Sequence, residues 1–167
     1  MAVTYKLIQT ITVGSGGAAS IEFTSIPQTY TDLVVKLSHR STRSAANNDA
    51  IRIRFNGSTT GFTASRLYGT GSAASSDTSE FIYNAASNTT ASVFDNGECY
   101  IPNYTSSNNK PFFVDNVMEN NATLAYSTFL AGLWSNSSAI TTIKIELESG
   151  PLFAQYSSAS LYGIKNS

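Results

Sequence analysis

The chain has 167 residues, of which 13% are charged, and its formal net charge is −1. This length predicts one domain, residues 1–167. A net charge so close to zero gives no reason to expect nucleic acid or an anionic membrane as a partner, because both attract strongly basic surfaces. The single cysteine, Cys99, excludes an intrachain disulfide framework and a cysteine-rich metal site. We expect Cys99 to be a half-buried strand residue.

The N-terminal part of the chain predicts two strands. Residues 4–13 alternate in polarity, and the glycine-rich residues 14–17 predict a turn. A second strand then places Ile21 and Phe23 on one face. We expect the two strands to pair as a hairpin. In the first strand, four apolar residues have the same parity and are expected on one face: Tyr5, Leu7, Ile11 and Val13. We predict neither a signal peptide nor a membrane span, because the chain opens without an apolar segment and has no run of 18 apolar residues.

Two sharply alternating strands follow. Residues 33–38 place Leu33, Val35 and Leu37 on one face, which makes this the clearest strand of the chain. His39 has the parity of Leu37, so we expect it to point inward at the start of a polar loop over residues 39–49. The second strand, residues 51–55, ends at an Asn-Gly pair that is typical of turns.

The middle of the chain is rich in glycine, serine and threonine. Residues 57–79 predict a long loop, in which we expect a short strand near residues 63–68 and a mobile segment over residues 69–79. Residues 95–97, Asp-Asn-Gly, predict a turn that leads into a strand over residues 98–104.

Four strands are predicted in the C-terminal half, over residues 111–118, 124–134, 140–148 and 160–164. Residues 124–134 are apolar enough for a helix, but their β-favouring side chains and the lack of a clear helix start favour a strand. With about eight to ten strands and no helix, the chain is predicted to be all-β. The regular spacing of the strands favours an antiparallel β-sandwich, jelly-roll-like in form.

The sequence contains no recognisable catalytic motif. A Ser-His-Asp triad would have to use His39, the only histidine, which is more simply a strand-end residue. Glu146 and Glu148 share a strand face, as a glycosidase pair would, but Lys144 beside them indicates a solvated surface. Residues 95–98 could contribute to a calcium site or form a plain turn. We therefore predict that the protein is not an enzyme and holds no metal or cofactor.

Arginine is unevenly distributed, since all five arginines lie between positions 40 and 66. Four of them are our candidate protein interface: Arg40, Arg43, Arg52 and Arg54. Arginine is enriched at interfaces because its planar fork pairs with carboxylates and stacks on rings. For Arg52 and Arg54, which share a strand face, a solvated surface is the alternative. Nucleic acid is disfavoured because the low net charge would hold few phosphates.

Three stretches resemble small structural proteins of tailed bacteriophage virions. They are residues 5–13 (YKLIQTITV) followed by Gly-Ser-Gly-Gly, residues 26–33 (IPQTYTDL) and residues 159–164 (ASLYGI). The resemblance implies a jelly-roll-like β-sandwich on the virion, made in the host cytoplasm. It carries over no functional residues, because such proteins have no catalytic motif to match.

Two roles are implied by this resemblance. The first is a capsid cement (decoration) protein, commonly a homotrimer, that binds the major capsid protein and stabilises the shell. The second is a tail-fibre or receptor-binding module that recognises host surface glycans. A groove of exposed aromatic side chains next to Asn and Asp would mark the second role. Five tyrosines could supply such a groove: Tyr68, Tyr83, Tyr100, Tyr104 and Tyr156.

Overall fold

A computed structural model describes residues 4–119, 124–149 and 151–165. These residues form twelve strands and no helix, which confirms the all-β class. The strands are β1 (Thr4–Thr12), β2 (Ser20–Phe23), β3 (Asp32–His39), β4 (Asn48–Phe55), β5 (Phe62–Gly69), β6 (Ala74–Asp77), β7 (Ile82–Ala85), β8 (Asp95–Ile101), β9 (Lys110–Met118), β10 (Tyr126–Trp134), β11 (Ile143–Leu147) and β12 (Ser158–Lys165).

The strands form two sheets that pack as a β-sandwich. The larger sheet has eight strands in the order β1-β12-β3-β8-β9-β10-β5-β6, and the smaller has four in the order β2-β11-β4-β7. All ladders are antiparallel, and four of them are nested along the chain: β1 with β12, β2 with β11, β3 with β8, and β4 with β7. A ribbon of nested pairs that alternates between two sheets is a jelly roll. The two hairpins β5–β6 and β9–β10 are inserted into this ribbon and widen the larger sheet.

The predicted β1–β2 hairpin is wrong. β1 pairs with β12 in the larger sheet, and β2 pairs with β11 in the smaller one. The connection crosses the end of the sandwich instead of turning back, and Phe153 holds it there through backbone hydrogen bonds in both directions with Ala18. A short loop fits either path, so the choice depends on partner strands at the other end of the chain.

A bulge in β1 also corrects the predicted face of this strand. The register with β12 shifts between Leu7 and Gln9. The extra residue, Ile8, reverses the side on which the following residues lie. Tyr5 and Leu7 therefore point outward and are exposed, whereas Ile11 packs against the core.

The predicted turn at residues 95–97 is also wrong, because these residues lie inside β8. The glycine here serves close packing. A Cβ atom on Gly97 would lie 2.7 Å from Oδ1 of Asn116 on the neighbouring strand β9. β6 was missed for a different reason: its residues, Ala-Ser-Ser-Asp, have no apolar alternation, so the sequence predicted a mobile loop.

The core combines side chains from both sheets. The inward residues of β3 and β11 are buried as their alternation predicts. Next to the inserted hairpins, four aromatic rings meet edge to face or stacked, with centroids 5.3 to 6.4 Å apart: Phe55, Phe62, Phe112 and Trp134. We call these four residues the aromatic cluster. Phe55 belongs to the smaller sheet and the other three to the larger, so the aromatic cluster joins the sheets.

Candidate protein interface

Arg40 is buried, and its guanidinium group is used inside the chain. It donates hydrogen bonds of 2.9 to 3.2 Å to four backbone carbonyl groups, those of Ala86, Thr89, Thr90 and Val93. These contacts fix the loop that connects β7 to β8. Arg43, three residues further on, is far more exposed, with Nη1 3.8 Å from Oδ1 of Asp49. The structure thus separates two arginines that the sequence groups together.

Arg52 and Arg54 lie together on the outer face of the smaller sheet, where acidic side chains pair with them. Arg52 lies 2.5 Å from Glu148, and Arg54 lies 2.8 Å from Glu80. Glu146 lies 2.8 Å from Lys144. Arg52 is partly exposed, whereas Arg54 is buried, so this face is internally neutralised and only Arg52 of the two is open to solvent. Contact of these arginines with a partner stays a prediction.

The pKa of Glu146 bears on the glycosidase interpretation. Burial alone would raise this pKa, but Lys144 and Arg54 outweigh burial and lower it. A general acid for glycoside cleavage needs a raised pKa instead. Glu146 therefore lacks the electrostatic setting of a general acid.

The outer face of the larger sheet is mainly apolar, although it carries an exposed ion pair, Lys36 with Glu98 at 2.9 Å, on its central strands. Among the described residues, five of the seven exposed large hydrophobic side chains lie on it, as the strand registers show: Tyr5 (53% exposed), Leu7 (51%), Leu67 (56%), Val117 (45%) and Phe129 (52%). We call this surface the apolar face. Monomeric proteins rarely expose a large contiguous apolar patch, and such patches mark interaction sites.

Further aromatic side chains connect the exposed residues of the apolar face. Tyr5 meets Tyr162 edge to face at 6.4 Å. Across the sheet, Phe113 contacts both Tyr100, at 5.6 Å, and Phe129, at 5.9 Å. Residues 111–118 carry apolar side chains on both faces, which is a sign of this surface in the sequence. β9 is a central strand of the larger sheet, and one of its faces is open.

His39 is the last residue of β3 and is buried, as predicted. Its Nδ1 lies 2.9 Å from Oδ1 of Asn84, and its Nε2 lies 3.1 Å from Oδ1 of Asn116. Both ring nitrogens thus face amide side chains, which is not the arrangement of a Ser-His-Asp triad. Asp95 lies 4.0 Å from Nδ1 and accepts a hydrogen bond from the backbone of Ala85. The cluster connects both sheets.

Burial shifts the pKa values of His39 and Asp95, the two titrating groups of this cluster, in opposite directions. It lowers the pKa of His39 and raises the pKa of Asp95 from 3.8 to about 7. Below about pH 6.5 the unfolded chain binds a proton at His39 that the folded chain does not, which destabilises the fold. Between about pH 4 and 7 the folded chain keeps a proton on Asp95 that the unfolded chain releases, which stabilises it as pH falls. The two contributions oppose each other.

We therefore predict that Asp95→Asn makes the stability of the fold more sensitive to acid, because the variant lacks the group whose titration offsets that of His39. As pH falls below about 6.5, the free energy of unfolding of the variant should decrease by up to about 1.4 kcal/mol per pH unit more than that of the unmodified protein. Denaturant unfolding of both proteins between pH 4.5 and 8 measures this difference, and other carboxyl groups cancel in the comparison. Equal slopes would contradict the prediction.

The remaining candidates do not form one site. The thiol of Cys99 is fully buried, and burial raises its pKa. Tyr104 is a core residue whose hydroxyl donates to the carbonyl of Pro27. Tyr68 and Tyr83 pack around the buried Arg66, at 4.6 and 4.8 Å from their rings. Two tyrosines lie elsewhere: Tyr100 on the apolar face and Tyr156 in the loop before β12.

Within the three described ranges, no group of three or more His, Cys, Asp or Glu residues could hold a metal ion. The same ranges contain no helix long and apolar enough to cross a membrane. No protein-family model matches this chain, and no curated protein matches it. The geometry of the protein's surfaces is therefore the basis for inferring its function.

Proposed function

We propose that this chain is a structural protein of a tailed bacteriophage virion, a capsid cement protein that binds the major capsid protein and other copies of itself. The observation that supports this proposal is the concentration of exposed apolar side chains on the apolar face. Such a surface is costly in water and is stabilised when another protein covers it. A structural role needs a contact surface of this kind and no catalytic group.

The size of the apolar face fits this role. Eight strands spaced about 4.8 Å apart, with a mean length of about 26 Å, span roughly 900 Å². A standard protein interface buries about 800 Å² on each partner. The opposite face, with its paired arginines and glutamates, is suited to water. The shell and neighbouring copies would therefore share the apolar face, and the smaller sheet would face outward.

A charge on the apolar face should prevent binding to the shell. Val117 is exposed there, and Val117→Glu would place a carboxylate against a buried apolar contact. We expect at least about a tenfold loss of copies bound to shells that lack the protein. Cosedimentation of purified protein with such shells measures binding. Arg52→Ser, on the smaller sheet, is the matched control and should bind normally; loss of binding by this control alone would instead support the arginine interface.

The alternative function is a tail-fibre or receptor-binding module that recognises host surface glycans. A shallow groove of about 310 Å³, lined by Phe129, Asp115 and Ser127 among others, favours it. A sugar ring could stack on Phe129 while the carboxylate of Asp115 accepts its hydroxyl groups. Copy number separates the two functions: hundreds of copies in a cryo-EM map of the particle mean shell, and a few to dozens mean tail.

A further inference from the structure

The two ends of the apolar face differ in form, since one is an edge strand and the other is a groove. At one end β1 forms the edge of the larger sheet, because it pairs with β12 alone. Its exposed Tyr5 and Leu7 make a projecting apolar edge. At the other end lies the 310 Å³ groove, formed mainly by Leu67, Gly69, Ala74, Asp115, Ser127 and Phe129. We call these two features the β1 edge and the β5–β10 groove.

The two features have complementary charge. Lys6 lies between Tyr5 and Leu7 on β1 and is exposed, and Lys165 lines the same recess at the end of β12. Asp115 is exposed in the β5–β10 groove. Neither Lys6 nor Asp115 is paired with an opposite charge in the part of the chain that the structure describes. The β1 edge therefore carries an unpaired positive charge, and the β5–β10 groove carries an unpaired negative one.

An open edge strand is itself a reason to expect a neighbour. Unpaired strand edges promote association unless they are blunted or covered. The bulge between Leu7 and Gln9 disfavours simple continuation of the sheet, because it breaks the regular hydrogen-bonding register along the edge. Insertion of the side chains of β1 into a groove does not need this register. A strand that enters a groove edge-on brings both of its side-chain rows to the groove walls, Tyr5 and Leu7 on one side and Lys6 on the other.

We propose that the β1 edge of one copy of this chain inserts into the β5–β10 groove of a second copy, with Lys6 of the first facing Asp115 of the second. This contact names the self-association partner in the proposed function and depends on that function only for its biological setting. Because the two surfaces differ, the contact can repeat from copy to copy and close into a ring.

Charge reversal tests the contact. Lys6→Glu and Asp115→Lys each place like charges face to face, which is strongly unfavourable at an interface. Each single variant should dissociate at least about tenfold more readily, and the double variant Lys6→Glu/Asp115→Lys should return to within about threefold of the unmodified protein. Analytical ultracentrifugation over a concentration series measures this. Both side chains are exposed, so thermal melting should show that all variants fold; Lys144→Glu, a lysine on the smaller sheet, is the matched control and should associate normally.

The outcomes separate this contact from the proposed function. Rescue by the double variant supports the contact. Single reversals without effect, failure of the double variant to recover, or an unmodified protein that stays monomeric up to high concentration would each overturn it. A monomer that still coats shells would overturn the contact and leave the cement function standing. An oligomer that responds to charge reversal as expected but does not bind shells would support the contact and overturn the cement function.

Discussion

Replacing Arg40 with alanine is expected to lower the free energy of unfolding by about 3–5 kcal/mol, because four backbone carbonyl groups around its buried guanidinium group would each lose a hydrogen bond. The guanidinium group also lies near Asp95 and counteracts the rise in its pKa. For a chain of this length, such a loss lowers the melting temperature by about 10 °C. Denaturant unfolding and calorimetry measure both quantities.

Arg43→Ala is the matched control for this prediction. Arg43 is three residues away, its side chain is 43% exposed, and its Nη1 lies 3.8 Å from the buried carboxylate of Asp49, beyond hydrogen-bond distance. A half-exposed ion pair without a hydrogen bond contributes little, so a loss of about 1 kcal/mol or less is expected. Amide hydrogen exchange should become faster in residues 86–93 of the Arg40 variant and stay unchanged in the Arg43 variant. Equal, small losses in both variants would show that the buried hydrogen bonds contribute little to stability.

These two arginines show what the sequence could and could not predict. Both lie in the same polar stretch, and nothing local distinguishes them. The carbonyl groups that bind Arg40 come from residues 46 to 53 positions further along the chain. Their positions depend on how β7 and β8 are placed by the fold. Burial of Arg40 is therefore a long-range property, which composition and alternation do not contain.

Strand faces, in contrast, were predictable wherever the alternation is local. β3 and β11 bury the residues that their patterns predict, because one side of each strand must meet the core. Strand pairing was harder to predict from the sequence, since β1 pairs with a strand at the far end of the chain. The bulge at Ile8 was invisible for the same reason: a one-residue shift of register needs the partner strand to define it. This shift places Tyr5 and Leu7 on the apolar face, opposite to Ile11, with which they were predicted to share a face.

Glycine gave a second kind of ambiguity. Asp95-Asn96-Gly97 has the composition of a turn, yet it continues a strand in which the glycine makes room for Asn116. Glycine permits both turns and close approach of neighbouring groups, and the sequence alone does not distinguish them. The Asn116 side chain then contacts His39, so this misinterpreted glycine lies next to the buried polar cluster.

Trp134→Ala should be the other strongly destabilising substitution, with a loss of about 3–5 kcal/mol in the free energy of unfolding. Trp134 is buried at the end of β10 and contacts Phe55 at 5.7 Å and Phe62 at 6.0 Å. Removing the indole group would leave a cavity in the aromatic cluster where the inserted hairpins meet the smaller sheet. The surrounding rings belong to different strands, so they cannot close the cavity by moving together.

Phe129→Ala provides the control, because Phe129 is an aromatic residue of the same strand on the opposite face. It is half exposed and contacts Phe113, so a loss of about 1 kcal/mol or less is expected. Unfolding should be measured at a concentration where the protein is monomeric, since self-association would add to the apparent stability. In association experiments Phe129→Ala should have the larger effect of the two variants, because it weakens the contact between copies while the fold persists. A Phe129 variant that is destabilised as much as the Trp134 variant would mean that the apolar face contributes to folding and not to assembly.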